Sequence, residues 1–400
     1  MSSESGRRRW AELALAVGGF GIGTGEFVMM GLLPNVAGDF GTSIPSAGHV
    51  ISAYALGVVV GAPLISVFAA RWPRQRLLLA LMAFFAAGNF ASALAPAYAP
   101  LIAVRFLAGL PHGAYFGVAS LVAASLVAAN ERARAVGRMM LGLTGATLLG
   151  VPSATWIGQT FGWRAAYVLV GAIGLLTWGL IFRCVPRAGP VEDASPAREL
   201  SALSRKQVWL TLGIGSVGFG GLFCVYSYIT PTLTQVAGLP VRYVPFVLAV
   251  FGGGMILGNL VGSWLADRAL MPTIGALLMW NAVVLGSFSL AAPHAWMLTV
   301  VVLLVGTGVA IVPALQIRLM DVADDAQTLA AALNHSAFNI ANALGAWLGG
   351  IAIAGGLGWA STGWVGALLA LGGLLIFGVA LAEEARSGRS SALLRYGTRT

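Results

Sequence analysis

Charge is what this sequence has least of. Asp, Glu, Lys and Arg together make up 9% of its 400 residues, against roughly 25% in soluble globular domains. With 58% hydrophobic residues and a mean hydropathy of +0.86, a soluble globular protein is excluded. The alternating segments of about ten residues that mark a membrane β-barrel are also missing. Cysteine is nearly absent, and Cys184 and Cys224 have neither metal-ligand spacing nor the pattern of a disulfide framework. The single lysine, Lys206, lies in no phosphate-binding loop, so ATP is not the energy source within this chain. Gly213, Gly215 and Gly218 spell G-x-G-x-x-G, but inside an apolar helical run with no strand before it, which argues against a dinucleotide site. The chain has no H-E-x-x-H and no G-x-S-x-G. Neither a cofactor nor a metal is expected.

What is present is a series of continuous apolar runs, each about twice the length of a barrel strand. At ~1.5 Å per residue such runs cross a bilayer. Turn residues divide them into twelve spans, near 13–36, 47–69, 77–95, 100–127, 136–160, 164–182, 207–236, 243–266, 273–291, 295–319, 328–354 and 361–382. The fold class is therefore an all-α membrane protein with twelve transmembrane helices. Arg7-Arg8-Arg9 before the first run imitates a signal peptide. The run is too long for one and shows no small-residue cleavage site, so an uncleaved first span is expected.

An even number of spans puts both termini on one side. On that side fall 20 of the 23 basic residues: those of the N-terminus, the 2–3 and 4–5 loops and the central connection, then Arg268, Arg318 and the tail. Arg164 and Arg242 fall on the other side, and Arg105 falls within a span. This bias predicts cytoplasmic termini and a cytoplasmic central loop, in a bacterial-type inner membrane. It also accounts for the net charge of +9 without a nucleic-acid partner.

The polar, proline-containing stretch 184–206 reads as a cytoplasmic linker between an N-terminal bundle (1–183) and a C-terminal bundle with its tail (207–400). A shift of 197 residues aligns the two without gaps through four spans. Gly21 meets Gly218, Gly23 meets Gly220, Pro34 meets Pro231, Gly57 meets Gly254, Gly61 meets Gly258, Arg71 meets Arg268 and Gly109 meets Gly306. Two like-oriented six-helix pseudo-repeats are the architecture expected of alternating-access carriers. The same alignment sets Glu26 opposite Phe223, Arg105 opposite Val302 and His112 opposite Val309. Ionisable chemistry is thereby confined to the first half.

Glu26 is the only acidic residue placed deep in a span. A carboxylate there costs roughly 2.5–3.5 kcal/mol on insertion scales and normally lines a polar cavity. Counted from the outer ends of their spans, Arg105 lies ~8 Å deep, Glu26 ~15 Å and His112 ~18 Å. Arg105 and His112 are seven apart, hence on nearly one helical face, and an arginine side chain could close much of the gap to Glu26. These three are the candidate proton-coupling residues; the alternative is that Arg105 snorkels outward and His112 merely packs. His335, Asn339 and Asn342 form a polar stripe at i, i+4, i+7 in span eleven. Phe223, Tyr226 and Ser227 share a face in span seven. With Met30 and Phe116 they form the candidate lining of a substrate cavity, the alternative being hydrogen bonding between helices.

Several motifs resemble a known family. Arg105-Phe-Leu-Ala-Gly109 resembles the span-four signature of the major facilitator superfamily. Gly142…Gly150-Val-Pro152…Gly158 resembles the span-five signature of its drug:proton antiporters, and Gly262-Ser-Trp-Leu-Ala-Asp267-Arg268 resembles its cytoplasmic loop signature. Gly-Thr-Gly-Glu26-Phe and Pro111-His112-Gly113-Ala-Tyr-Phe-Gly117 are similar to the bacterial branch exporting sugars, arabinose, purines and chloramphenicol. The resemblance implies a major facilitator fold. It makes Gly142, Gly150 and Pro152, with Arg71, Arg74, Asp267 and Arg268, the candidate conformational residues. In the 2–3 loop Ala70 and Pro73 stand where the family has Asp and Gly, and that aspartate stands only in the second copy, at Asp267. Physically, the glycines let another helix approach closely, and Pro152 frees a carbonyl.

The function expected is a proton-coupled secondary transporter exporting small amphipathic molecules, with Glu26 cycling the proton. A passive facilitator or a proton symporter for uptake on the same fold is the alternative. A membrane-embedded enzyme is the remote one, since no catalytic residues cluster at a membrane face. The expected partners are a small-molecule substrate, protons and the lipid bilayer, and a monomer is expected.

Overall fold

The computed structural model describes residues 2–69, 72–127, 132–187, 201–323 and 327–386. Within a bilayer every backbone N–H needs an internal partner, which favours helices over open strands. Among the described residues all regular structure is helical. Among the described residues twelve helices are long and apolar enough to cross a membrane, and they serve here as spans 1 to 12. The first half holds Arg8–Asp39, Ile44–Ile65, Arg74–Ala93, Tyr98–Ser125, Ala135–Phe161 and Trp163–Cys184. The second holds Lys206–Ser227, Val241–Arg268, Leu270–Ala291, Ala295–Ala323, Leu333–Leu357 and Ser361–Arg386. The middle of the expected linker, 188–200, and the tail, 387–400, lie outside the described residues.

Local sequence explains the interruptions. The turn between spans 5 and 6 is the single residue Gly162, whose φ of 92° suits glycine alone. The apolar run expected over 207–236 is one segment in sequence but not in structure. It breaks at Tyr228 (φ −115°, ψ 21°), and two short helical turns, Ile229–Pro231 and Thr232–Val236, follow. Pro231 has no N–H to offer the carbonyl four residues back. Span 5 contains a π-helical turn, Ala146–Gly150, ending two residues before Pro152.

The repeat reappears as a repeated contact. A methyl group added at Gly57 would lie 2.0 Å from the Phe106 carbonyl oxygen, and one at Gly254 would lie 2.1 Å from that of Leu303. Gly61 meets the carbonyl of Leu110 at 2.1 Å and Gly258 that of Thr307 at 2.4 Å; Gly109 meets Tyr54 at 2.2 Å and Gly306 meets Phe251 at 2.4 Å. In each of the three pairs both members differ by the offset of 197. Spans 2 and 4, and likewise spans 8 and 10, thus touch backbone to backbone, as small residues permit within lipid.

Both described chain ends lie on one face, here the terminal face, where Lys206 at the start of span 7 pairs with Glu383 near the end of span 12 at 2.9 Å. Toward the opposite, distal face the halves meet directly. Thr230 donates to the carbonyl of Met30 at 2.9 Å, Ser52 donates to that of Ala343 at 3.3 Å, and Gly48 and Gly350 both pack against the Tyr228 hydroxyl. The core follows the same division. Residues of the first half on the distal side, such as Met30, Leu33, Val50 and Val151, share one apolar cluster with the second half. Leu15, Leu78, Phe85, Tyr115 and Met139 form a separate cluster nearer the terminal face.

Candidate functional site

Glu26 lies at the seam between the halves and is 6% exposed. One carboxylate oxygen is 4.0 Å from Nε2 of His112 in span 4, and the other accepts from Nδ2 of Asn342 in span 11 at 3.5 Å. The first contact comes from its own half and the second from the other. His112 is itself held by Tyr54, whose hydroxyl is 3.1 Å from Nδ1, and its ring tilts against Phe116.

Arg105 does not reach the carboxylate. Its Nη2 donates to the carbonyl of Gly25 at 2.9 Å, and Nη1 donates to Oδ1 of Asn89 at 3.4 Å. The guanidinium lies 4.2 Å over the ring of Tyr54 and 4.9 Å from that of Tyr167. At 1% exposure it is not snorkelling outward. The arginine therefore grips the backbone turn that carries Glu26, while two tyrosine faces take the place of water around it. Tyr54, Tyr167 and Asn89 were not singled out from the sequence. The available signal was Asn89, a lone amide in the apolar run of span 3.

The candidate cavity residues separate into three groups. Phe223 and Tyr226 face Phe27, the neighbour of Glu26, with ring centroids 6.3 and 6.0 Å away. Tyr226 also stacks on Phe251 at 4.0 Å, and Phe219 joins Phe223 to Phe338. This aromatic wall comes mainly from the second half. Phe116 stacks on His335 across the seam at 5.5 Å with the rings 6° from parallel. The third group is polar: the hydroxyls of Tyr226 and Ser227, and Oδ1 of Asn339 and Asn342, are buried without a hydrogen-bond partner among the described residues. Asn339 turns its Nδ2 onto the His335 carbonyl at 3.0 Å, so the three polar residues of span 11 do not act alike. Met30 is fully buried and contributes its carbonyl.

Among the conformational candidates, Gly142 and Gly150 are close-packing residues against span 1. Added methyl groups would meet the Ala16 carbonyl at 1.9 Å and the Thr24 hydroxyl at 2.1 Å. The π turn between them also presents the Thr147 carbonyl to Gly252 of span 8, where an added methyl would lie 2.5 Å away. Arg71 and Ala70 lie outside the described residues. Arg74 opens span 3, half-buried. Asp267 and Arg268 are exposed at the end of span 8, and the Arg268 guanidinium lies 3.5 Å over Trp264. Among the described residues no ion pair involves Asp267. A second buried carboxylate went unnoticed in the sequence. Glu12, at the start of span 1, takes two 2.8 Å bonds from Arg138 of span 5.

Twelve spans in two repeated halves, with a buried carboxylate at their seam, are the architecture of a membrane carrier. The comparisons agree. Residues 15–323 match the Major Facilitator Superfamily, and the chain belongs to that family. It is 41% identical over 367 residues to the "Inner membrane transport protein YdhP" of Escherichia coli (strain K12), covering 91% of this chain and 94% of that protein. It is 31% identical over 350 residues to the "Chloramphenicol resistance protein" of Streptomyces lividans, covering 83% and 86%. Its fold is similar to the crystal structure of a bacterial homolog of the human lysosomal transporter Spinster, with a TM-score of 0.67 at 19% identity over 94% of this chain and 96% of that one.

Proposed function

We propose that this transporter is a proton-coupled exporter of small amphipathic molecules working by alternating access, with its termini in the cytoplasm of a bacterial cell and Glu26 as the proton-carrying group. The observation that carries this reading is the place of Glu26: a buried carboxylate at the seam, touched from both halves. A group so placed meets one solution and then the other as the halves rock. Arg105 contributes by holding the Gly25 carbonyl, and thereby the Glu26 backbone, in register. The wall of Phe27, Phe223, Tyr226 and Phe251 suits an apolar ring or chain, and the unpartnered hydroxyls and amides beside it suit a polar substituent. The name of one relative, a chloramphenicol resistance protein, favours export over uptake.

One proton falling through ~100 mV and one pH unit releases about 3.7 kcal/mol. That bounds the accumulation of a neutral substrate near 500-fold. The test is transport in vesicles with an imposed pH gradient, over a mixed panel of apolar, sugar-like and nucleoside-like compounds. Glu26→Gln keeps the shape but cannot cycle a proton. It should abolish gradient-driven export while counterflow exchange survives. A Glu26→Gln protein that still concentrates a neutral substrate removes the mechanism; one that loses every transport mode makes Glu26 structural.

A further inference from the structure

Among the described residues the second half has no carboxylate at the seam, yet it must respond to a proton bound in the first. The side chain that spans this gap is Asn342. It is 1% exposed, its Nδ2 donates to Glu26 Oε1 at 3.5 Å, and its Oδ1 is buried with no partner among the described residues. An ionised carboxylate can only accept, so it satisfies one end of the amide and leaves the other empty. A protonated carboxyl both donates and accepts. The acid and the amide then close a two-bond ring, with Nδ2–H donating to one carboxyl oxygen and the O–H on the other donating to Oδ1. An orphaned acceptor inside a membrane protein is costly, and the proton supplies what it lacks.

We propose that Asn342 is the positioning residue through which the second half reads the protonation of Glu26, and that the Glu26–Asn342 pair ties the halves together in the distally closed state. This rests on Glu26 being the proton carrier. The direction follows from the fold: the contact occurs in a structure whose halves are joined at the distal face by Thr230 on Met30 and Ser52 on Ala343. Protonation therefore favours distal closure, which in alternating access leaves the terminal face as the side free to open. An exporter needs that order, because the proton enters distally and leaves on the cytoplasmic side. Deprotonation weakens the tie and frees the halves for the return with substrate.

Other titratable groups surround Glu26 and enter the test. They are His112 and Arg105 from span 4, Tyr54 from span 2, Tyr167 from span 6, Tyr226 from span 7 and His335 from span 11. Of these, His112 is the competitor, since its Nε2 could accept the same proton's hydrogen bond.

The experiment measures the distance across the distal face by spin labels at Gly38→Cys and Val241→Cys in the full chain, in lipid nanodiscs without substrate, between acid and alkaline pH. In the parent protein the ratio of distally closed to open molecules should rise as pH falls. About fivefold of that rise, the worth of one net hydrogen bond, should vanish in Asn342→Leu, with Asn342→Ala as the second variant should leucine not pack. Glu26→Gln forms an amide–amide pair at any pH and should hold the acid-side ratio throughout, and adding Asn342→Leu should release it. If Asn342→Leu keeps the whole pH response while Glu26→Gln loses it, the inference about Asn342 is overturned and the proton site stands. If Glu26→Gln keeps the response, the proton site itself is wrong.

Discussion

The repeated backbone contact gives the sharpest test of the fold. In Gly57→Ala the new methyl group would lie 2.0 Å from the Phe106 carbonyl oxygen, and in Gly254→Ala 2.1 Å from that of Leu303. Ordinary contact begins near 3.4 Å, so each helix pair must separate by about 1 Å. A flexible side chain could swing aside, but a helix carbonyl cannot. Overpacking of this kind costs about 1–3 kcal/mol, and a backbone obstacle places it at the upper end. Alanine returns about 1 kcal/mol of helix propensity, leaving a net loss of about 2 kcal/mol at each site. Gly117, on the same span 4, supplies the control, because nothing lies within 4 Å of its added methyl group. Gly117→Ala should therefore be neutral or stabilising. The assay is thermal unfolding of purified protein in one detergent, read by intrinsic tryptophan fluorescence. Both Gly57→Ala and Gly254→Ala should melt several degrees below the parent, and the double variant should show the sum, because the sites lie in different halves. A Gly57→Ala protein that melts with Gly117→Ala refutes the close approach. Unequal losses at Gly57 and Gly254 refute its repetition.

Arg105→Lys keeps the charge but loses the planar fork that reaches both Gly25 and Asn89. The loss of one charge-assisted bond, about 1.5–3 kcal/mol, should lower gradient-driven transport by ~10- to 100-fold, measured as initial rates in vesicles. An undiminished rate would show that the cage of Tyr54, Tyr167 and Asn89 needs only a positive charge. For orientation, Ala97→Cys at the distal face should react with an impermeant maleimide on intact cells, in a background with Cys184→Ser. Ser204→Cys should react only after permeabilisation, and the reverse pattern would invert the topology.

Hydropathy and turn residues determined the twelve spans, because insertion into a bilayer is decided segment by segment along the chain. The break at Tyr228 escaped this reading, since apolarity continues through Pro231 while the hydrogen-bond ladder does not. The 197-residue repeat was legible too, and it carried real contacts, because a glycine needed for close approach in one half is needed again in its copy. Glu26 could be picked out from one dimension alone, since a carboxylate's depth in a span is a matter of counting. What it touches was not countable. Depth says nothing of azimuth, so Arg105 was set near Glu26 by its level, yet tertiary packing turned its guanidinium onto the Gly25 carbonyl between two tyrosine rings. Asn342 read as one member of a polar stripe with His335 and Asn339. Only the docking of span 11 against the first half set it on the carboxylate while its two neighbours went elsewhere. Glu12 and Arg138, 126 residues apart, became a pair for the same reason. Side-chain partners across helices depend on rotation and register between segments, which no single stretch of sequence encodes and which packing fixes only when the whole bundle assembles.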